Sequence, residues 1–146
     1  MSPEALDILL KQIQYPGTPA DESEVIRDWI RRHGAEYDRI DFNVRVGPAR
    51  PLFEGAAEST VRQNEKVSRN RIDIAAFVNG RVDIVEAKII IGSGAMGQVQ
   101  TYRALWTADH PETPVRRILV IGRAIHPATE IGFRAAGVEF ELFPAP

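Results

Sequence analysis

The chain has no cysteine, only three histidines, few aromatic residues (8%) and almost no excess of either charge, its formal net charge being −2 over 146 residues. Each shortage excludes something. Without cysteine there is no disulfide framework and no thiolate metal site, which fits a reducing compartment. His33, His110 and His126 stand isolated, so no His-x-Asp metal strand is present. A net charge this small does not describe a strongly basic nucleic-acid binder, and any such contact must be a local patch. No apolar run approaches the length of a membrane span, and the N-terminus lacks the basic-then-apolar pattern of a signal peptide. Nothing repeats, and no segment is of low complexity.

What is there suffices for one domain over residues 1–146, with 44% apolar and 26% charged residues, ordinary values for a globular protein. Ser2-Pro3-Glu4 opens a packing helix within residues 1–17 whose apolar face is Leu6, Leu9, Leu10 and Ile13; Pro16-Gly17-Thr18-Pro19 closes it. A second helix is expected from Thr18 to His33, capped by Thr18 or Asp21, stopped at Gly34, with Val25, Ile26, Trp29, Ile30 and His33 on its stripe. Residues 37–46 alternate as a half-buried strand, and residues 48–70 read as a long basic loop. After a turn-rich link, 115–121 reads as a central strand, 126–136 as a short helix and 138–143 as a closing edge strand. The order predicts an α/β fold: a mixed sheet of about five strands flanked by helices.

The centre of the chain is Arg71 to Tyr102. Two Ile/Val-rich runs, 71–78 and 81–91, flank Asn79-Gly80, the dipeptide that favours a two-residue type I′ hairpin. That loop sets the register: Val78 faces Arg81, Asp73 faces Glu86 and Arg71 faces Lys88. Two opposed carboxylates repel. They are tolerated if a cation lies between them, if one is protonated, or if water screens both. Apolar Ile72, Ile74, Ala76, Ile84, Val85 and Ala87 argue for burial, and so against water. A hard cation such as Mg²⁺ takes oxygen ligands of this kind. Lys88, two residues past Glu86, shares its face and can orient or deprotonate a water, or stabilise charge on a phosphate. Gly92-Ser93-Gly94 then breaks the strand, and Val99, Tyr102 and Trp106 recur on one helical stripe. Gln98 and Tyr102, four apart, share a helix face that can be aimed at the same place.

Ile72-Asp73, Glu86-Ala87-Lys88 and Gln98-x-x-x-Tyr102 together resemble the core of the PD-(D/E)XK nuclease superfamily, over about 32 contiguous residues. The local likeness is to nuclease domains of type I restriction motor subunits and to RecB-like nucleases. Ile72 stands where the eponymous Pro would be. The resemblance implies a restriction-endonuclease-like fold and Mg²⁺- or Mn²⁺-dependent hydrolysis of DNA phosphodiester bonds, leaving a 5′-phosphate. It implies Asp73, Glu86 and the Ala87 carbonyl as metal ligands, and catalytic roles for Lys88, Gln98 and Tyr102. It also places an acid of the first core helix at the metal; Glu22 matches that position, with Glu24 as second choice. Dipole stabilisation alone also favours acids there.

From Arg45 to Arg71 the chain carries six basic and three acidic residues, net +3, which leaves −5 for the remainder. This segment, with Arg62, Lys66, Arg69 and Arg71, reads as a grip on a phosphate backbone, a solvated loop or a surface for a protein partner. The alternative to an enzyme is a non-catalytic nuclease-fold subunit, structural or docking, as in a phage head–tail assembly; a homo-oligomer or larger assembly is then expected. The expected location is cytoplasmic, or the virion for a phage-encoded chain, with no membrane partner.

Overall fold

The computed structural model describes residues 1–49 and 70–146. Along the chain run α1 (Pro3–Leu10), α2 (Ala20–His33), a 3₁₀ turn (Gly34–Glu36), β1 (Arg39–Val46), β2 (Asn70–Val78) and β3 (Arg81–Ala87). There follow β4 (Ile90–Ile91), α3 (Ser93–Asp109), β5 (Val115–Gly122), β6 (Ala124–Ile125), α4 (Pro127–Ala136) and β7 (Glu139–Leu142). Five strands make one mixed sheet in the order β1-β2-β3-β5-β7. The first three are antiparallel neighbours, while β5 and β7 join in parallel through α3 and α4. The expected mixed sheet of five strands flanked by helices is therefore present. No described helix is long and apolar enough to cross a membrane.

The hairpin forms as its turn dictates. Asn79 (φ 49°) and Gly80 (φ 74°) both take the left-handed conformation, and Val78 faces Arg81, Phe77 faces Val82 and Ile74 faces Val85. Two apolar layers sandwich the sheet. One holds Val25, Ile26, Trp29 and Ile30 of α2 against Ile74, Ala76, Val85 and Leu119. The other holds Ala95, Val99, Tyr102 and Trp106 of α3, with Phe133 of α4, against Val82, Ile84 and Val120.

A strand normally keeps alternate residues on one face. Here β1 and β2 change phase together. Ile40 and Phe42 pack on the α2 side but Val44 and Val46 on the α3 side; Ile74 and Ala76 pack on the α2 side but Ile72 on the α3 side. The switch falls at Asn43, whose φ is +54°, and at Asp73, which the register sets across from it. Asp73 thus leaves the face of the sheet and points toward β3.

Several expectations need correction. The first helix ends at Leu10, and Ile13 is 89% exposed. Arg27 holds the carbonyls of Gln12 and Ile13, and the Tyr15 hydroxyl donates to the Leu9 carbonyl at 2.8 Å, so 11–19 is tied down as an irregular strap. The second helix begins at Ala20 without a side-chain cap; Thr18 is buried, and the Ser23 hydroxyl accepts from the Tyr15 N–H instead. Arg71 does not face Lys88. The ladder of β2 with β3 ends at Ile74–Val85; Arg71 pairs with Arg45, and the Lys88 N–H goes to the Ile121 carbonyl.

Candidate active site

The phase switch explains how the acidic pair is assembled. Where β2 and β3 cease to exchange backbone hydrogen bonds, the Asp73 Oδ2 accepts the Ala87 N–H at 2.9 Å, replacing a ladder carbonyl and fixing the carboxylate's orientation. Glu86 lies on β3 beside it, 5% exposed. Lys88, just past the strand's end, brings its Nζ to 3.5 Å from Glu86 Oε1. The second oxygen, Oε2, is buried and receives no N–H or hydroxyl from the described residues. An orphaned carboxylate oxygen in the interior is costly.

The electrostatics follow from that crowding. Burial first, and then the charge of Asp73, push the Glu86 carboxyl up to about 8, against the pull of Lys88. Asp73 is raised too, chiefly by burial, with the Ala87 N–H, Glu86 and Lys88 pulling the other way. Without a cation the two carboxyls keep a proton between them. Glu22 of α2 is raised by burial and then by Asp73, and it feels Lys88 as well. From the other layer, the Tyr102 hydroxyl is raised by burial and then by the charges of Glu86 and Asp73, while Gln98 beside it acts in the opposite direction. Glu22, Asp73, Glu86, Lys88, Gln98 and Tyr102 therefore converge on one end of the central strands, drawn from both layers.

Some expected members stand elsewhere. Arg62, Lys66 and Arg69 lie outside the described residues. Arg71 contributes to none of the shifts at Glu22, Asp73 or Glu86. Glu24 turns outward toward Arg123, 3.7 Å away. Among the described residues no three His, Cys, Asp or Glu side chains are gathered closely enough to hold an ion, so Asp73 and Glu86 stand as a pair with Glu22 nearby. The donor set is nonetheless all oxygen, and it includes one buried oxygen that no N–H or hydroxyl of the described residues reaches. That fits a hard divalent cation.

Sequence reasoning missed a second buried carboxylate. Asp83, fully buried on β3, takes Arg116 Nε and Nη2 at 2.9 and 2.5 Å, Arg117 Nε at 3.2 Å and the Tyr37 hydroxyl at 2.7 Å. Burial works to raise it, but the Arg116 and Tyr37 hydrogen bonds and the arginine charges hold it below the usual carboxylate range. Its only signal in the sequence was the acid in Arg81–Ala87 set against the basic pair Arg116-Arg117, two runs whose adjacency required the parallel register. Being fully paired, Asp83 fastens the far end of β3 and has no spare oxygen for chemistry.

No family model matches the sequence, and no curated protein does either. Among solved structures, three distant likenesses stand out. EndoMS bound to double-stranded DNA is 13% identical with a TM-score of 0.46, covering 84% of this chain and 44% of that one. A repair endonuclease from Pyrococcus abyssi gives 12%, 0.44, 84% and 47%, and EndoMS in its apo form 13%, 0.46, 89% and 49%. The chain spans less than half the length of each, and at these values the likeness bears no weight on what it does.

Proposed function

We propose that the protein is a divalent-cation-dependent nuclease that hydrolyses DNA phosphodiester bonds. The observation that carries the reading is the Glu86 carboxyl: buried, attended by Lys88, set so close to Asp73 that the two share a proton, and with an oxygen that no N–H or hydroxyl of the described residues reaches. Asp73 and Glu86 would hold Mg²⁺ or Mn²⁺, with Glu22 and the Ala87 carbonyl as further oxygens. Such an ion polarises a phosphoryl oxygen and lowers the pKa of water at neutral pH. Lys88, at the rim of the pair, positions the attacking water and stabilises charge on the phosphate. Tyr102 and Gln98 border the same space from α3 and orient the phosphate. On this reading the Glu86-Ala87-Lys88 and Gln98-x-x-x-Tyr102 spacing sets the chain beside type I restriction motor-subunit and RecB-like nuclease domains.

The test is direct. Purified protein is mixed with plasmid and with linear DNA in Mg²⁺ or Mn²⁺. Nicking or cutting that chelator stops is the expected result. No cleavage, together with no heat of metal binding by calorimetry, would end the proposal. A second reading, a nuclease-fold docking or structural subunit as in a phage head–tail assembly, draws on the lack of a gathered three-ligand cluster among the described residues. A high-order ring in light scattering, with no cleavage, would favour it.

A further inference from the structure

We infer that Arg45 and Arg71 form a phosphate-binding subsite that grips the nucleic-acid backbone next to the reacting phosphate. This deepens the nuclease reading and rests on it for the ligand's identity. The β1–β2 register sets the two arginines directly across from one another, with Cβ atoms roughly 4.5–5.5 Å apart. Like charges in that relation repel. Among the described residues neither guanidinium forms an ion pair or a side-chain hydrogen bond, whereas Arg116, Arg117 and Arg123 each bind a carboxylate. The Nε of Arg45 is moreover buried with no partner. The cation paired with the acids is instead Lys88, whose Nζ lies 3.5 Å from Glu86 Oε1.

The pair is therefore the complement of the carboxylate pair. Two donors of one sign are held together, and among the described residues nothing takes the buried Arg45 Nε–H. A tetrahedral oxyanion bridging both guanidinium forks satisfies the buried Nε–H and removes the repulsion at once. Arg71 stands two residues before Asp73 on β2, roughly 6.6 Å along the strand. At that distance along the strand it meets a phosphate flanking the one being cleaved. The pair is a positioning device for the substrate backbone.

The full chain is titrated in EDTA with a short fluorescein-labelled DNA duplex, and binding is followed by anisotropy between about 50 and 200 mM salt. Arg45→Gln and Arg71→Gln should each reduce the slope of log affinity against log salt by about 1. Arg71→Lys, which keeps the charge but loses the fork, should keep the slope and still bind more weakly. Both Gln variants should melt no lower than wild type, since each removes a repulsion; if one misfolds, Arg71→Lys and Arg45→Lys decide the matter. In Mg²⁺ the variants should raise KM and leave kcat unchanged. Unaltered slopes in both Gln variants would overturn the subsite, as would an absence of duplex binding by wild type. Displacement of the duplex by inorganic phosphate well beyond that by chloride of equal ionic strength would make the ligand a free phosphate and overturn the backbone grip. Duplex binding that depends on both arginines, without any cleavage in Mg²⁺, defeats the nuclease reading and keeps the subsite. Cleavage with arginine-independent binding does the reverse.

Discussion

Replacing Glu86 by Gln should stabilise the metal-free protein, and the gain should grow with pH. The Glu86 carboxyl ionises at about 8 in the fold, against 4.5 for an unperturbed glutamate, with burial and then Asp73 as the causes. The folded chain therefore holds a proton that the unfolded chain has already lost. Stability must fall as pH rises between those two values, by about 1.4 kcal/mol per pH unit at most. At pH 7 the accumulated penalty is on the order of 3 kcal/mol. Glutamine keeps the shape and, like the protonated acid, donates to Asp73, but it carries no such penalty. Urea unfolding in EDTA from about pH 5 to pH 8 should show the two proteins converging at the acid end and separating steadily above it. Mg²⁺ should then reverse the order, because a cation displaces the shared proton in the wild type alone; at a hundredfold excess over Kd it adds about 2.7 kcal/mol. Parallel pH profiles, or equal stabilisation of both proteins by Mg²⁺, would refute the reasoning.

Three further outcomes are expected. Lys88→Ala should abolish DNA cleavage while calorimetry still records Mg²⁺ binding, since Lys88 sits beside Glu86 and is not itself an oxygen donor. Asp83→Asn should cost about 3 kcal/mol at neutral pH by chemical denaturation, the low end for breaking a buried pair because Arg116 is a third exposed. The Asp83 carboxyl is depressed in the fold, so its contribution is complete above the unfolded value, near 3.8, and is lost as pH falls through the folded one; wild type and variant should converge in acid. Gly80→Ala should cost about 1 kcal/mol, all of it from the backbone, since φ is +74° and an added Cβ would meet nothing within 4 Å.

The hairpin was legible because its information is local. Asn79-Gly80 sets the turn, the turn sets the register as far as Ile74–Val85, and that brings Asp73 and Glu86 to the ladder's end, where the phase switch turns one toward the other. The Tyr102 stripe was legible for the same reason, helical spacing over one run. What escaped the reading depends on contacts between segments far apart in sequence. Nothing near Asn43 announces that β1 and β2 will change faces there, because a positive φ at Asn is a permission and not a demand. The short α1 follows from Arg27, on another helix, capturing two carbonyls of the strap. The Asp83 pairing needed the parallel β3–β5 register, which no turn residue encodes.

That same phase switch makes the charge arrangement hard to explain as structure alone. On β2, Arg71 meets Arg45 across one seam, and Asp73 meets Glu86 across the other. Exchanging signs at one position of each pair would turn both repulsions into salt bridges without disturbing an apolar contact in either layer. A chain shaped only for stability would gain by doing so, as it has gained at Asp83, where every oxygen is taken. Instead the fold keeps a buried acid that must hold a proton and a buried guanidinium nitrogen that bonds to nothing among the described residues. On the proposed reading, these two demands of opposite sign, a short way apart on one strand, would both be met by one ligand: an anionic chain carried with a divalent cation. A phosphodiester backbone with its metal ion has that composition, and a protein partner would have to reproduce both halves of it.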